Sequence, residues 1–330
     1  MKVLLLCALV AAASAALDPL SDEFLELLQS KQMTWTPGRN FPKKTSKEFL
    51  QTLACIHKNP NTPKLPLKKT APTTGLSVPV SFDAREQWPL CESIKEVRDQ
   101  GNCGSCWAVA AAGVMTDRTC IDTNATVIFR YSSEDVAACC TECGLGCYGG
   151  DEDCVLRHWV EHGYVSGGRY NSNEGCQPYS VEECEHHMVG ERPPCEGEVP
   201  ILVCHKQCID GYPKTYEEDL EYGKEAYVLP QDVAAIQEDV LANGPVTVAF
   251  AVYDDFLSYK SGVYQHEEGA LLGYHAVRLI GWGEENGTPY WLIINSWNND
   301  WGDQGLFKIL RGSNECEIEG DVAGGKYLPH

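Results

Sequence analysis

Basic residues are scarce in this 330-residue chain: 26 Lys and Arg stand against 47 Asp and Glu, a net charge of −21. That deficit argues against nucleic acid as a partner, because phosphate backbones are gripped by Lys and Arg. Long apolar runs are scarcer still. Beyond the first residues no segment offers about 18 uninterrupted apolar positions, so no membrane-spanning helix and no membrane partner are expected. Internal repeats and low-complexity tracts are also missing. What remains is a globular composition, 43% hydrophobic, long enough for one or two domains with a sizeable core.

Cysteine, by contrast, is plentiful, with 17 copies. The N-terminus explains them: Lys2, an apolar run from Val3 to Ala13 and the small residues Ala13-Ser14-Ala15 have the pattern of a signal peptide spanning 1–16. The chain is therefore expected in a secretory or endolysosomal compartment, lysosomal or secreted into an extracellular space such as a gut lumen. Cys7 lies in this leader and Cys55 in the next segment, which leaves fifteen cysteines from Cys91 onward. An odd number in an oxidising compartment leaves at least one thiol unpaired or paired outside the chain.

Charge is unevenly spread. Residues 17–77 hold nine Lys and Arg against five Asp and Glu, a net of +4, so with Lys2 set aside the body from Val78 onward carries −26. A basic leader precedes an acidic body, which suits a place where carboxylates are partly protonated. Between them, Asn59 to Thr74 is rich in Pro, Lys and Thr, with Pro60, Pro63, Pro66 and Pro72. It is read as an extended, cleavable linker, with the processed chain starting near Val78 and spanning 78–330. Ser21 to Leu28 has the apolar spacing of a short amphipathic helix. Residues 17–77 are thus read as an inhibitory prosegment, with a targeting or folding appendage as the plainer alternative.

The run from Cys106 to Arg118 has high helix propensity, with Ser105 placed to cap it. Asp151 to His162, closed by Gly163, and Asp232 to Ala242, ended by Asn243-Gly244-Pro245, are two further predicted helices. After Pro245 the pattern turns to strands: Val246–Val252, Ala276–Trp282, Tyr290–Asn295 and Leu306–Leu310, the middle two joined through Asn286-Gly287. A helical part is followed by a β part.

The motif that carries chemistry is Gln100-Gly101-Asn102-Cys103-Gly104-Ser105-Cys106-Trp107. A thiol at a helix N-terminus feels the positive end of the helix dipole, and an adjacent imidazolium lowers its pKa further. Cys103-x-x-Cys106 could instead be a redox pair, but the βαβ context of such pairs is missing. Cys140, Cys143 and Cys147 have spacing that zinc would accept. In a secreted chain, disulfides are the preferred reading, and no metal is expected.

Cys-Gly-Ser-Cys-Trp is the pattern around the nucleophile of papain-type enzymes. Together with Ser81–Pro89, Gly262-Val263-Tyr264, His275-Ala276-Val277, Asn295-Ser296-Trp297 and Trp301-Gly302, the chain from Val78 to the C-terminus resembles the cathepsin B branch of the papain family. Thr34-Trp35 and Gly38-Arg39-Asn40-Phe41 resemble that branch's short prosegment. The resemblance implies an α+β, papain-like two-domain fold: a helical left domain over about 90–223 and a β-barrel-like right domain over about 224–330 with 78–89. The active-site cleft would run between them.

For the site it implies Cys106 as nucleophile, His275 as its base, Asn295 as the orienting amide, Trp297 as a shield and Gln100 with the Cys106 N–H as oxyanion donors. The reaction is then acyl transfer through a thioester. Gly149 and Gly150 would bind substrate. The implied disulfides are Cys91–Cys120, Cys103–Cys147, Cys139–Cys204, Cys140–Cys143, Cys176–Cys208 and Cys184–Cys195, leaving Cys106, Cys154 and Cys316. Cys106 is 169 residues from His275 and 189 from Asn295, more than the ~130–150 usual in papain-type chains. The excess falls in Cys184–Cys195, which resembles an occluding loop. His186 and His187 would clamp a substrate's C-terminal carboxylate, with His186–Asp99 and Arg192–Asp300 pinning the loop.

C-terminal dipeptide removal would accompany internal cleavage. Asp321 falls where the family places an acid at the base of the pocket for the second side chain before the scissile bond. Tyr274, where the pattern has Gly, departs from the family, as do Tyr148 and Glu317, so Tyr274 is expected to reshape the cleft. Asn124 and Asn286 head glycosylation sequons. The expected partners are peptide and protein substrates, the chain's own prosegment and cystatin-type inhibitors, acting on a monomer without cofactors. A non-catalytic binding homologue of the same fold is the rival reading.

Overall fold

In the computed structural model the chain is described over residues 17–58, 60, 62–69, 78–185, 190–195 and 199–329. The proposed signal peptide, the linker residues 70–77, His186 and His187 lie outside the described residues.

The leader contributes α1 (Asp22–Ser30), β1 (Trp35–Pro37) and α2 (Lys47–Leu53). Ser21 caps α1 by accepting from the Phe24 N–H, and Ser46 caps α2 from Phe49. A short strand β2 (Phe82–Asp83) and helix α3 (Ala84–Gln87) lead into α4 (Cys106–Asp122). Every residue of α4 from Cys106 to Cys120 is buried, so it is a central rather than a surface helix. Against it pack α5 (Ser133–Cys139) and α6 (Glu152–Glu161), and α7 (Tyr216–Asp219) is tied to α5 by the Tyr216 hydroxyl donating to Asp135. The predicted helices are present, with Asp151 and Asp232 as N-caps rather than first residues.

The second part holds β3 (Gly223–Val228), α8 (Val233–Asn243), β4 (Val246–Tyr253), β5 (Tyr259–Tyr264), β6 (Leu271–Glu285), β7 (Thr288–Ile294), β8 (Leu306–Leu310) and β9 (Val322–Tyr327). Nine strands form one mixed sheet ordered β1-β5-β8-β7-β6-β4-β9-β3, with β2 beside β6. Asn286 and Gly287, at φ 51° and 81°, make the tight β6–β7 turn that Asn-Gly predicts.

The expected barrel-like closure does not occur. The two ends of the sheet do not pair, because each has another partner. At one end β1 of the leader lies antiparallel on β5; at the other, Pro66 and Lys68 of the leader hydrogen-bond Val228 of β3. The stretch read as an extended, cleavable linker is thus in part bridged to the sheet edge at Leu67–Val228, and Leu65 is buried. One apolar core lies on the β4–β8 side and a second around α4 and α6.

What holds the site together is the contact between α4 and β6. Gly113 lets Arg278 approach so closely that an added Cβ would stand 2.6 Å from its Cδ. Arg278 then pairs with the buried Asp117 carboxylate at 2.6 Å. This ion pair joins the element that carries Cys106 to the one that carries His275.

Candidate active site

Cys106 is the first residue of α4, so its thiol sits where the helix's unpaired N–H groups concentrate positive charge. The predicted Ser105 cap is not formed. Its hydroxyl is bonded instead to the Tyr179 hydroxyl at 2.7 Å, and Tyr179 donates to the Gln100 carbonyl at 2.9 Å. Gln100 is fully buried; its Oε1 accepts from Ser296 at 2.8 Å and its Nε2 donates to the Cys103 carbonyl at 2.9 Å. An amide NH₂ has two hydrogens, so this bond uses only one of them.

His275 lies inside β6, opposite Phe250 of β4, rather than before a strand as predicted. The strand starts earlier because Leu271–Tyr274 also pair with β4 despite Gly273. Its Nε2 is 2.7 Å from Asn295 Oδ1, which also accepts from the Ser296 N–H at 2.8 Å. An amide oxygen only accepts, so Nε2 carries the proton. Trp297 stacks on the imidazole at 4.8 Å and 28°, and both rings are fully buried. Nδ1 is buried without a hydrogen bond of regular geometry. Burial pushes the Cys106 thiol up, but Cys55 and then His275 outweigh it, and its pKa lies well below the usual thiol range.

Cys55 belongs to the leader, and sequence reasoning gave it no role. Its Sγ stands 2.9 Å from Cys106 Sγ. Burial and Cys106 drive the Cys55 pKa up, so Cys55 keeps its proton and donates towards the Cys106 thiolate. Around it the leader runs through the cleft, bridged to the body at Ile56–Gly150. Ile56 donates to the Tyr274 carbonyl at 3.0 Å, His57 to the Gly150 carbonyl at 2.9 Å, and Gly150 to the Cys55 carbonyl at 3.2 Å. Gly149 at φ 101° has no room for a side chain, since a Cβ would stand 2.5 Å from the Cys55 carbonyl oxygen. Phe41 packs edge-on against Trp297 at 6.3 Å.

Beyond His57, the Lys58 ammonium is held 2.6 Å from Asp321, 2.7 Å from Asp153, 3.2 Å from Glu152 and 3.7 Å from Asp151. Asp321 therefore faces the cleft. Tyr274 lines the same 550 Å³ cavity as Lys58 and Asp321, and its hydroxyl donates to the Glu317 carboxylate at 3.2 Å. Two of the three departures from the family pattern are thus one hydrogen-bonded wall. Asn314, Cys316 and Glu317 all hold left-handed backbone there, a conformation unusual for non-glycine residues. Tyr148 is exposed and stands apart, beside Phe49 and Ile201.

All six expected disulfides are present. The Cys140–Cys143 bond removes the zinc alternative for that pair, and Cys103–Cys147 removes the Cys103–Cys106 redox pair. Cys55, Cys106, Cys154 and Cys316 are free and buried. Burial, only partly offset by Arg157, raises the Cys154 pKa to about 11, and burial with Glu315 raises that of Cys316, so neither is poised to ionise. Arg192 pairs with Asp300 at 2.9 Å as expected, and also with Glu185 at 3.2 Å. Asn124 and Asn286 are exposed at left-handed turn positions.

The family profile described as papain family cysteine protease matches residues 78–325. The chain belongs to that family and is a cysteine peptidase of the cathepsin B-like kind. It is 49% identical over 253 residues to cathepsin B-like cysteine proteinase 6 of Caenorhabditis elegans, covering 76% of this chain and 67% of that protein. Cathepsin B-like cysteine proteinase 5 of the same organism is 43% identical over 335 residues, covering 96% and 95%. Among solved structures, proCathepsin B S9 from Trypanosoma congolense is similar at a TM-score of 0.81 and 33% identity, over 94% of this chain and 99% of that one.

Proposed function

We propose that the chain is the inactive precursor of a peptidase whose nucleophile is the Cys106 thiolate and whose general acid and base is His275. The observation that carries this is the buried set of Cys106, with its depressed pKa, and His275, bonded through Nε2 to Asn295 at 2.7 Å. Cys106 Sγ attacks the substrate carbonyl carbon, and the oxyanion is received by the Cys106 N–H and the second hydrogen of Gln100 Nε2. His275 gives a proton to the leaving amine, and a thioester remains. Water, deprotonated by the same imidazole, then releases the acid and restores the thiolate.

In this reading Cys55 blocks the sulfur until residues 17–77 are removed. The processed peptidase runs from about Val78, with helical and β domains meeting at the cleft. The leader 1–16 directs export, and the protein works in a lysosome or outside the cell, with Asn124 and Asn286 open to glycosylation. Among the described residues, no helix is long and apolar enough to cross a membrane. Cystatin-type inhibitors would enter the same cleft of a monomer.

The loop between Cys184 and Cys195, pinned by Arg192–Asp300, is read as a lid on the leaving-group end of the cleft. His186 and His187 would hold a substrate's terminal carboxylate there, adding C-terminal dipeptide removal to internal cleavage. Peptides with free and amidated C-termini test this. His186→Ala should lower dipeptide release more than internal cleavage, and an equal loss of both would remove the clamp.

A further inference from the structure

Away from the cleft, α6 ends in a cluster that the peptidase chemistry does not use. His158 lies in its last turn and His162 is its C-cap, four positions on, so the two rings share one face of the helix. Their centroids are 4.5 Å apart. Glu142 reaches them from the short loop closed by the Cys140–Cys143 disulfide, and its Oε1 lies 3.0 Å from His158 Nδ1. One ligand atom from each of Glu142, His158 and His162 lies within 4.8 Å of the others. None of the three is a cysteine, so the disulfides leave the set intact. Histidine has a plain reason to stand here, since an imidazolium near a helix C-terminus complements the dipole. That reason does not account for two. Charged together, rings this close repel, and the His158 side chain is only 19% exposed. Two neutral imidazoles and a carboxylate at the negative end of a helix are instead a ligand set for a cation.

We infer that His158, His162 and Glu142 form a binding site for a divalent transition metal ion, with zinc the best match to the donors. Two imidazoles and a carboxylate are a set that zinc accepts with its fourth position left to water, whereas magnesium and calcium take oxygen. Zinc–nitrogen bonds of about 2.0–2.1 Å need donor atoms about 3.3 Å apart. The side chains of His162 and Glu142, 59% and 46% exposed, can close that gap by turning. His158 is the fixed member, its ring packed against Tyr164 at 5.1 Å. The neighbouring cation is Arg157, which pairs with Glu142 at 3.3 Å and with Glu161 at 2.8 Å. Two carboxylates against one guanidinium leave net negative charge beside the imidazoles, and Arg157 keeps Glu161 when the ion takes Glu142. The bound ion ties the Cys140–Cys143 loop to α6, at the opposite end of the helix from the cleft acids Asp151, Glu152 and Asp153.

The test uses the full precursor without a polyhistidine tag, titrated with zinc chloride in a calorimeter and with cobalt chloride in a spectrophotometer. The parent should bind an equivalent of zinc that His162→Ala weakens by at least about ten-fold, and Glu142→Gln should weaken the same equivalent. Both side chains are exposed, so neither substitution threatens the fold. In the cobalt spectrum, the part lost in His162→Ala should lack the charge-transfer band of a thiolate ligand. Excess calcium or magnesium chloride should leave the zinc in place. Absence of any site tighter than about 0.1 mM would overturn the inference, as would equal zinc binding by the parent and both variants. A thiolate band in the difference spectrum would overturn it too, by placing Cys154 among the ligands, and displacement of zinc by calcium would replace the imidazole site with an oxygen one.

Discussion

Cys106 sits among three influences that act in different directions. The low-dielectric surroundings favour the neutral thiol, whereas Cys55 and His275 favour the thiolate. On the proposed removal of residues 17–77, Cys55 would leave with them, and His275 and the start of α4 would hold the charge in the processed protein. Gln100 offers a sharper check on roles, because its amide is anchored on both sides, by Ser296 and by the Cys103 carbonyl. Gln100→Ala should lower kcat by about 10²–10³-fold, as loss of one oxyanion donor does, while KM changes little. Steady-state kinetics measure this, and a purely KM effect would mean that Gln100 only binds substrate. At this scale the sequence was informative where a motif carried the residue: Gln100, Cys106, His275 and Asn295 are all brought together. It was silent on Cys55 and Lys58, whose partners Cys106 and Asp153 lie 51 and 95 positions away. An odd cysteine in the leader, and three consecutive acids after Gly149-Gly150, were the available signals.

Among elements, the decisive relation is α4 against β6. The helix was legible because an Ala-rich run has high propensity whichever way it packs. β6 was read eight residues too short, since Leu271–Tyr274 and the charged Glu284-Glu285 end break the apolar run while the backbone ladder continues. β1, β2, β3, β5 and β9 were missed: β1 and β2 are three and two residues long, and Val322–Tyr327 contains two glycines. The Asp117–Arg278 pair was not readable from spacing, as it joins positions 161 apart. Asp117→Ala leaves the Arg278 guanidinium buried without its carboxylate, and should cost about 3–5 kcal/mol. Denaturant unfolding checks this, and a loss below about 1 kcal/mol would mean that the two elements are held by apolar packing alone.

For the whole molecule, the leader and the body form one interlocked structure. Residues 17–77 supply an edge strand to β5, pair with the opposite edge at Val228, and run through the cleft between. The charge asymmetry of the sequence becomes specific contacts: Lys58 with the acidic pocket, Lys68 with Asp239, and Lys31 with Glu267 and Glu268. Burial raises the Asp153 pKa to about 6 and raises that of Glu152 as well, while Lys58 pulls both down. When Lys58 leaves, that downward pull is lost, both carboxylates take up protons more readily, and release is coupled to proton uptake. Prosegment affinity should therefore fall as pH drops from about 7 to 5, through the Asp153 titration. Binding measured across that range checks the sign, and affinity that rises towards acid would reverse it.

The proposed chemistry belongs to one sulfur, that of Cys106. Among the described residues four free cysteines are buried, and Cys106 is 0% exposed beneath Cys55. An epoxide-type thiol reagent at about pH 5.5, followed by mass spectrometry of the digested protein, distinguishes them, because only a depressed thiol is ionised there. The expected result is no adduct in the precursor and, after removal of the prosegment, a single adduct on Cys106 with peptidase activity lost in step with labelling. Activity that survives complete modification of Cys106, or an adduct on Cys154 or Cys316 in its place, would contradict it.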